Sequence, residues 1–343
     1  MQKITVGIIF GGMSPEHEVS ILSANGVASL INEKRFNVVE IYIDKRGEFY
    51  YGKNIIRAMI NHEHPTLKYL SFDRLKRLVN VIFPVLHGDG GEDGSIQGFL
   101  KTLGIPFVGC GIAASTVCLD KAIFNVLMKE NGINKPRFAI INYVRDGKIE
   151  QKNKLLEISS RFHFPVFVKP ARTGSSVGIS KVDYKKFLNR ALAKARKFDS
   201  KIIIEEAVRN CLEIEVSVLG NKARNFAASV PGRIIPANEF YDYADKYHDN
   251  KTRFEIPAHL SKGKIKKIQS TAIKAYRLSG CEGLARVDFL LDEKQRVFLN
   301  EINTLPGFTA ISMYPKLWQA SGLSGTKLIS KLIDLALQSP AHW

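Results

Sequence analysis

The residues best suited to chemistry lie near the carboxyl end: Arg286-Val287-Asp288 and, after a turn, Asn300-Glu301-Ile302-Asn303-Thr304-Leu305-Pro306-Gly307. On neighbouring strands residues two apart point the same way, so Asp288, Glu301 and Asn303 can share one face. Two carboxylates and an amide are hard oxygen ligands, which Mg2+ bound to a nucleotide phosphate requires. The bland alternative is a solvated strand face, and the apolar residues Val287, Phe289 and Leu290 argue against it. The expectation is metal-phosphate chemistry.

A second segment runs Phe167-Val168-Lys169-Pro170, then Gly174-Ser175-Ser176-Val177-Gly178. A strand delivers a lysine, and a glycine- and serine-rich loop follows whose backbone N–H groups can wrap phosphate oxygens. The GxxxxGK[ST] order of a Walker loop is absent. Together with the acidic face, this loop reads as the second half of an ATP site, with Lys169 as a point charge. A third cluster, His87-Gly88-Asp89-Gly90-Gly91-Glu92-Asp93-Gly94, follows an apolar run and permits close approach of a ligand to the backbone. His87 there is either structural or lines a site at the end of a parallel strand. Glu16 either complements a helix dipole or holds a substrate ammonium. The aromatic and charged stretch from Phe240 to His248 reads as a lid or a surface loop.

These residues need a scaffold. Ile4 to Phe10, closed by Gly11-Gly12, reads as a strand; Ser14 as N-cap and Pro15 at the first helical position then lead into Val19, Leu22, Val27 and Leu30 at helical spacing. Val38 to Ile43, Val79 to Leu86 and Ile105 to Val108 read as further strands and Ile96 to Leu103 as a helix, giving an open parallel, Rossmann-like sheet over residues 1–114. A second unit, 115–201, begins with one amphipathic helix through Leu119, Ile123, Leu127 and Met128. It contains strands Phe138 to Ile141 and Val166 to Val168, and a polar surface connection from Val144 to Lys154. A third, 202–343, opens at Ile202 to Glu205 and holds strand Ile214 to Leu219, a loop-rich lid stretch over about 231–257, a helix from Lys262 to Ser279, and paired strands Leu284 to Leu291 and Val297 to Ile302.

The 343 residues, 45% hydrophobic and 24% charged, are enough for two or three cored domains and exclude a disordered chain. The formal charge of +17 suits an anionic partner. Its densest basic run, Lys185 to Lys197, alternates with Leu188, Ala191, Leu192 and Ala195 as one solvated helix face, and no nucleic-acid motif accompanies it. Cys110, Cys118, Cys211 and Cys281 form no CxxC pair, so a reduced cytoplasm is expected, and no apolar stretch is long enough to span a membrane.

Taken in order, Leu86-His87-Gly88 through Gly91-Glu92-Asp93-Gly94-Ser95-Ile96-Gln97-Gly98, Lys169-Pro170 with Gly174-Ser175-Ser176-Val177-Gly178, Tyr241 to Tyr247, Arg286-Val287-Asp288 and Asn300 to Thr309 closely resemble the D-alanine:D-alanine ligase family of the ATP-grasp superfamily. The likeness runs from Gly11-Gly12 to Ser312. It implies a two-part ATP-grasp fold after the N-terminal domain, and an ADP-forming ligase that joins two D-alanines through an acyl phosphate for peptidoglycan precursor synthesis. The implied cofactor is two Mg2+ ions, with Mn2+ as a substitute, on Asp288, Glu301 and Asn303; ATP is the co-substrate. Lys121, Lys169, Ser176, Glu205, Glu213 and Lys246 match ATP contacts, although the stretch from Glu205 to Glu213 is one residue longer than the family pattern and lacks its glycine. Arg286 and the Gly307 N–H match oxyanion stabilisers. Glu16, with His87 nearby, matches the group that holds the first D-alanine, Ser312 the receiver of the second carboxylate, and Ser175 and Tyr247 a network closing the lid. A cytoplasmic homodimer is implied. The rival readings are a D-alanine:D-lactate or D-alanine:D-serine ligase, another ATP-grasp carboxylate-amine ligase, and a basic binding protein for nucleic acid or membrane surfaces.

Overall fold

A computed structural model of the protein describes residues 3–144, 157–158, 160–174, 176–221, 225–235 and 252–338. The first sheet is built on β1 (Ile4–Gly11), which pairs in parallel with β2 (Phe36–Ile43) over its whole length and with β5 (Val81–Pro84). As a central strand β1 is buried along most of its run, so Val6, Ile8, Ile9 and Phe10 are apolar without alternation. The parallel core is as expected. Two antiparallel strands, β3 (Phe49–Gly52) and β4 (Lys68–Tyr69), extend its edge in the order β4-β3-β2-β1-β5. The expected strand at Ile105 to Val108 is reduced to one bridge, Ile82 with Phe107.

Helices α1 (His17–Leu30), α2 (Ile55–Ile60), α3 (Phe72–Leu78) and α4 (Ser95–Thr102) accompany this sheet. Ser14 was expected to cap α1, but the helix starts at His17. Pro15 and Glu16 form a preceding turn, in which the Ser14 hydroxyl accepts from Glu16 N at 3.1 Å and donates to the His87 carbonyl at 2.6 Å. The effect is to tie the chain after β1 to the chain after β5.

The single helix expected from Ser115 to Met128 is two, α5 (Ile112–Leu119) and α6 (Lys121–Glu130). Asp120 separates them with extended backbone (φ −76°, ψ 92°), and its carboxylate accepts from the N–H groups of Ala122 and Ile123, both at 3.1 Å. Apolar spacing continues across the break, but the N-cap bonds outweigh it. Lys201 Nζ also donates to Asp120 at 2.6 Å. Lys121 therefore stands at the first position of α6 rather than in mid-helix.

The second sheet has the order β6 (Phe138–Asn142), β9 (Lys201–Glu206), β7 (Val166–Pro170), β8 (Ser180–Val182). The opening of the third unit at Ile202 is therefore corrected: the buried run Ile202-Ile203-Ile204 is an inner strand of this sheet, and the chain leaves it only after Glu206. Over it packs α7 (Leu188–Ala195), burying Leu188, Ala191, Leu192 and Ala195 and exposing Arg190 and Lys194, as the basic run predicts. Most of the Val144 to Lys154 connection lies outside the described residues.

In the last sheet β10 (Leu212–Gly220) lies between β12 (Gly232–Ile235) and β14 (Gly283–Leu291). β13 (Arg253–Glu255) and β15 (Val297–Asn303) are outermost, and β11 (Ala227–Ala228) pairs with β10. The ends of the lid stretch thus pair as β12 and β13, while residues 236–251, Lys246 and Tyr247 among them, lie outside the described residues. Helix α8 (Lys262–Leu278) covers this sheet, and α9 (Met313–Ala320) and α10 (Gly325–Gln338) follow. Leu328, Leu332 and Ile333 of α10 and Phe308 share one apolar core with Val6, Ile8 and Phe10 of β1. Each such side chain, fully buried, contributes about 1.5–3 kcal/mol, so the C-terminal helices hold the first and last sheets together.

Candidate active site

The site is organised by register. Glu215 of β10 lies opposite Asp288 of β14, which lies opposite Glu301 of β15, so three carboxylates form a row across the sheet. Directly opposite residues of antiparallel strands share a face. One step along, Ser217, Arg286 and Asn303 form the next row on the same face. A bulge after Asp288 shifts the pairing, with Asn300 as the extra residue, and so preserves this alignment up to the strand ends. The face expected from period-two reasoning exists, and Glu215, which that reasoning missed, completes it.

Arg286 neutralises part of the row. Its guanidinium donates to both oxygens of Asp288 at 2.8 and 2.7 Å and lies 3.1 Å from Glu215. The pair geometry suits a planar fork that reads carboxylates two atoms at a time. Lys121 Nζ lies 3.9 Å from Glu301 and donates to the Thr173 carbonyl at 2.8 Å.

Two cavities meet here. One, of about 150 Å3, is lined by Glu16, His87, Glu92, Asn303, Gly307 and Ser312, among others. The other, of about 170 Å3, is lined by Lys121, Lys169, Ser176, Glu213, Asp288 and Asn300, among others. Lys121, Gly174, Glu215, Arg286 and Glu301 line both.

In the first cavity, a Cβ on Gly307 would stand 2.8 Å from Ser312 Oγ, so a larger residue would have to push that hydroxyl aside. The Ser312 hydroxyl accepts from Thr309 N at 3.0 Å as it enters α9. Burial pushes the His87 imidazole below its ordinary range, and its Nε2 lies 3.0 Å from Ser23 Oγ. Burial, with Glu16 beside it, pushes Glu92 up to about 8, so this carboxyl stays protonated at neutral pH. Its Oε2 accepts from Gly88 N at 3.2 Å.

The second cavity carries charge. Lys169 Nζ lies 2.5 Å from Glu205, and Asn125 Nδ2 donates to the other Glu205 oxygen at 2.5 Å. Burial alone would raise the Glu205 carboxyl, but Lys169 and Lys135 bring it down to about 2. Glu205 is spent on this pair and lines neither cavity, unlike Glu213. Ser176 adopts a left-handed backbone (φ 60°) in the loop after β7. Lys135, which sequence reasoning passed over, donates to the Asn300 carbonyl at 2.5 Å, and burial lowers it to about 7. Ser175 lies outside the described residues with Lys246 and Tyr247.

Among the described residues no three His, Cys, Asp or Glu side chains gather as a metal cluster. The set Asp288, Glu301 and Asn303 has two carboxylates and an amide oxygen, all hard donors on one face, with Asp288 and Glu301 opposed and Asn303 two residues beyond Glu301. Each Asp288 oxygen gives one lone pair to Arg286 and retains another, so the donors fit a Mg2+ ion that keeps part of its water shell.

Residues 5–110 match the family model of the D-ala D-ala ligase N-terminus, and residues 127–334 that of the D-ala D-ala ligase C-terminus. A D-alanine--D-alanine ligase of Natranaerobius thermophilus is 42% identical over 98% of this chain and 96% of its own length. D-alanine--D-alanine ligase B of Clostridium tetani is 44% identical over 99% and 95%. Among solved structures, the VanG D-Ala:D-Ser ligase of Enterococcus faecalis superposes with a TM-score of 0.87 at 33% identity, covering 98% of this chain and all of that one. The D-alanine-D-alanine ligase of Coxiella burnetii superposes with 0.82 at 31% identity, covering all of this chain and 95% of that one.

Proposed function

The chain belongs to the D-alanine--D-alanine ligase family, and from that premise we propose that it joins two D-alanines at the expense of ATP, releasing ADP and phosphate. The observation that supports this reading most is the seam between the two cavities. A phosphoryl group and a carboxylate can meet there, on Arg286 and beside Lys121 and Glu301.

A carboxylate is a poor acyl donor because its leaving group is effectively oxide. In the proposed sequence a carboxylate oxygen of the first D-alanine attacks the γ-phosphorus and ADP leaves. The amine of the second D-alanine then attacks the carbonyl carbon, passing through a tetrahedral oxyanion, and phosphate leaves. Lys121, Lys169 and Ser176 bind the nucleotide phosphates and Glu213 its ribose, with Glu205 acting on the adenine side through the Lys169 pair. Asp288, Glu301 and Asn303 would hold two Mg2+ ions, or Mn2+ in their place, which neutralise charge on the transferring group. Glu16 holds the first ammonium, His87 lines that subsite, and Ser312 receives the second carboxylate. Arg286 and the Gly307 N–H stabilise the oxyanion. Ser175 and Tyr247 are assigned to lid closure, and Lys246 of the lid to the γ-phosphate of ATP, by the family motif alone.

The likeness to a D-Ala:D-Ser ligase keeps a second product in view, since small polar differences redirect the second substrate. Among the described residues no helix is long and apolar enough to cross a membrane. A cytoplasmic homodimer in peptidoglycan precursor synthesis, with no nucleic-acid partner, completes the proposal. It is tested by phosphate release from Mg-ATP with D-alanine alone, and with D-lactate or D-serine added, products being identified by mass. Dialanine from D-alanine alone is expected; turnover only with a mixed pair would reassign the product, and none with any D-amino acid would overturn the reading.

A further inference from the structure

Helix α1 grips the loop that follows β15. Gly26 lies so close to the Phe308 carbonyl that a Cβ there would overlap it, at 1.8 Å. One turn earlier, the Ser23 hydroxyl accepts the Phe308 N–H at 3.4 Å and lies 3.0 Å from His87 Nε2. Ser23 is fully buried and His87 is buried. The Phe308 ring packs edge-on against Phe83 of β5, the strand that leads to His87.

A serine has one proton to give. With the Phe308 N–H already pointing at Ser23 Oγ, that proton is available to a lone pair on His87 Nε2. Burial meanwhile disfavours the charged form of the imidazole, so the ring is neutral with one N–H. A neutral imidazole whose Nε2 accepts a hydrogen bond carries its single hydrogen on Nδ1.

We propose that Ser23 and His87 are positioning residues that form one bracket, in which Ser23 donates to Nε2, His87 is held as its neutral Nδ1–H tautomer, and the pair fixes the Leu305–Phe308 loop so that the Gly307 N–H faces the seam between the cavities. His87 then spends its Nε2 on this bracket. Its work is done on the loop that carries the oxyanion donor, because an error of about 1 Å in such a group costs about 100-fold in rate. The bracket draws on three separate stretches: α1, the loop after β5 and the loop after β15.

The kinetic part of this inference rests on the ligase reading; the tautomer does not. The test is nitrogen-15 NMR of imidazole-labelled protein at a pH where histidine is neutral, together with steady-state kinetics of Ser23→Ala and Ser23→Thr. Wild-type His87 is expected as Nδ1–H. Ser23→Ala is expected to lose that preference and to lower kcat by about 10- to 100-fold with KM for ATP within about twofold, and Ser23→Thr to recover both. An Nε2–H ring in the wild type, a kcat within about twofold in Ser23→Ala, or a lowered kcat with the tautomer unchanged would each overturn the bracket. If Ser23→Ala does not fold, the wild-type spectrum decides. Absent D-alanine turnover in the wild type would sink the ligase reading and leave the tautomer still measurable.

Discussion

The two cavities solve opposite electrostatic problems with residues of the same kinds. On the side of Glu16 and His87, burial keeps ionisable groups neutral: Glu92 holds its proton up to about 8, and His87 is pushed below its ordinary range. On the side of Lys169, the Lys169–Glu205 pair keeps its charge: Glu205 stays ionised down to about 2 because Lys169 and Lys135 outweigh its burial, although burial brings Lys135 itself down to about 7. A buried carboxylate is therefore not one thing, since a nearby cation decides which form burial selects. The difference suits the proposed partners. A zwitterionic amino acid brings both charges with it, whereas a polyphosphate needs cations already in place.

The largest break in this contrast is expected at the seam. Glu301→Ala should lower turnover by about 1,000-fold or more by removing an oxygen donor where phosphoryl charge is neutralised, with the melting temperature little changed. Glu301 is 36% exposed in its side chain, so the fold does not depend on it. A rate near that of the wild type would remove it from the proposed metal set.

Next comes the charged cavity. Glu205→Ala strands Lys169, whose side chain is only 15% exposed, and should cost about 3–5 kcal/mol in urea unfolding. In the wild type the Glu205 contribution has a definite sign. Its folded value of about 2 lies below the ordinary 4.5, so its stabilisation is complete above 4.5 and is lost as pH falls towards about 2. Glu205→Ala should flatten the stability profile over that window.

On the neutral side the expected effects are smaller. Gly307→Ala places a Cβ 2.8 Å from Ser312 Oγ and should lower kcat by about 10- to 100-fold through displacement of its own N–H. Circular dichroism should be unaltered. Glu92→Gln acts in the opposite sense to Glu205→Ala: the folded protein binds an extra proton between 4.5 and about 8, so wild-type stability falls as pH rises through that window. The amide should remove that slope and make the protein more stable than the wild type at pH 8. A steeper slope in the variant would mean that Glu92 is not the group responsible.

What the sequence revealed follows the same division. The Asp288, Glu301 and Asn303 face was legible because strand alternation is a local rule, and the register of β14 and β15 obeys it. Glu215 was not, because placing it needs the pairing of β10 with β14, a contact 73 residues away in the chain. The break at Asp120 was hidden by apolar spacing that runs unbroken from Leu119 to Met128, although an aspartate just before a helical run is itself an N-cap signal. Ile202 to Ile204 reads equally well as the first strand of a new unit or an inner strand of the old one, and only pairing with β6 and β7 decides. The protonation of Glu92 and the pairing of Glu205 are properties of burial and neighbours, which no window of residues contains.

The central claim is that a substrate carboxylate is phosphorylated at the seam between the cavities, and it is tested most directly by the fate of a labelled oxygen. D-Alanine carrying oxygen-18 in its carboxyl group is turned over with unlabelled ATP, and the released phosphate is analysed by mass. One oxygen-18 atom per phosphate is expected, because the carboxylate oxygen that attacks phosphorus leaves with it. Unlabelled phosphate, with the label retained in the peptide or lost to water, would contradict the acyl phosphate and the role of the seam with it.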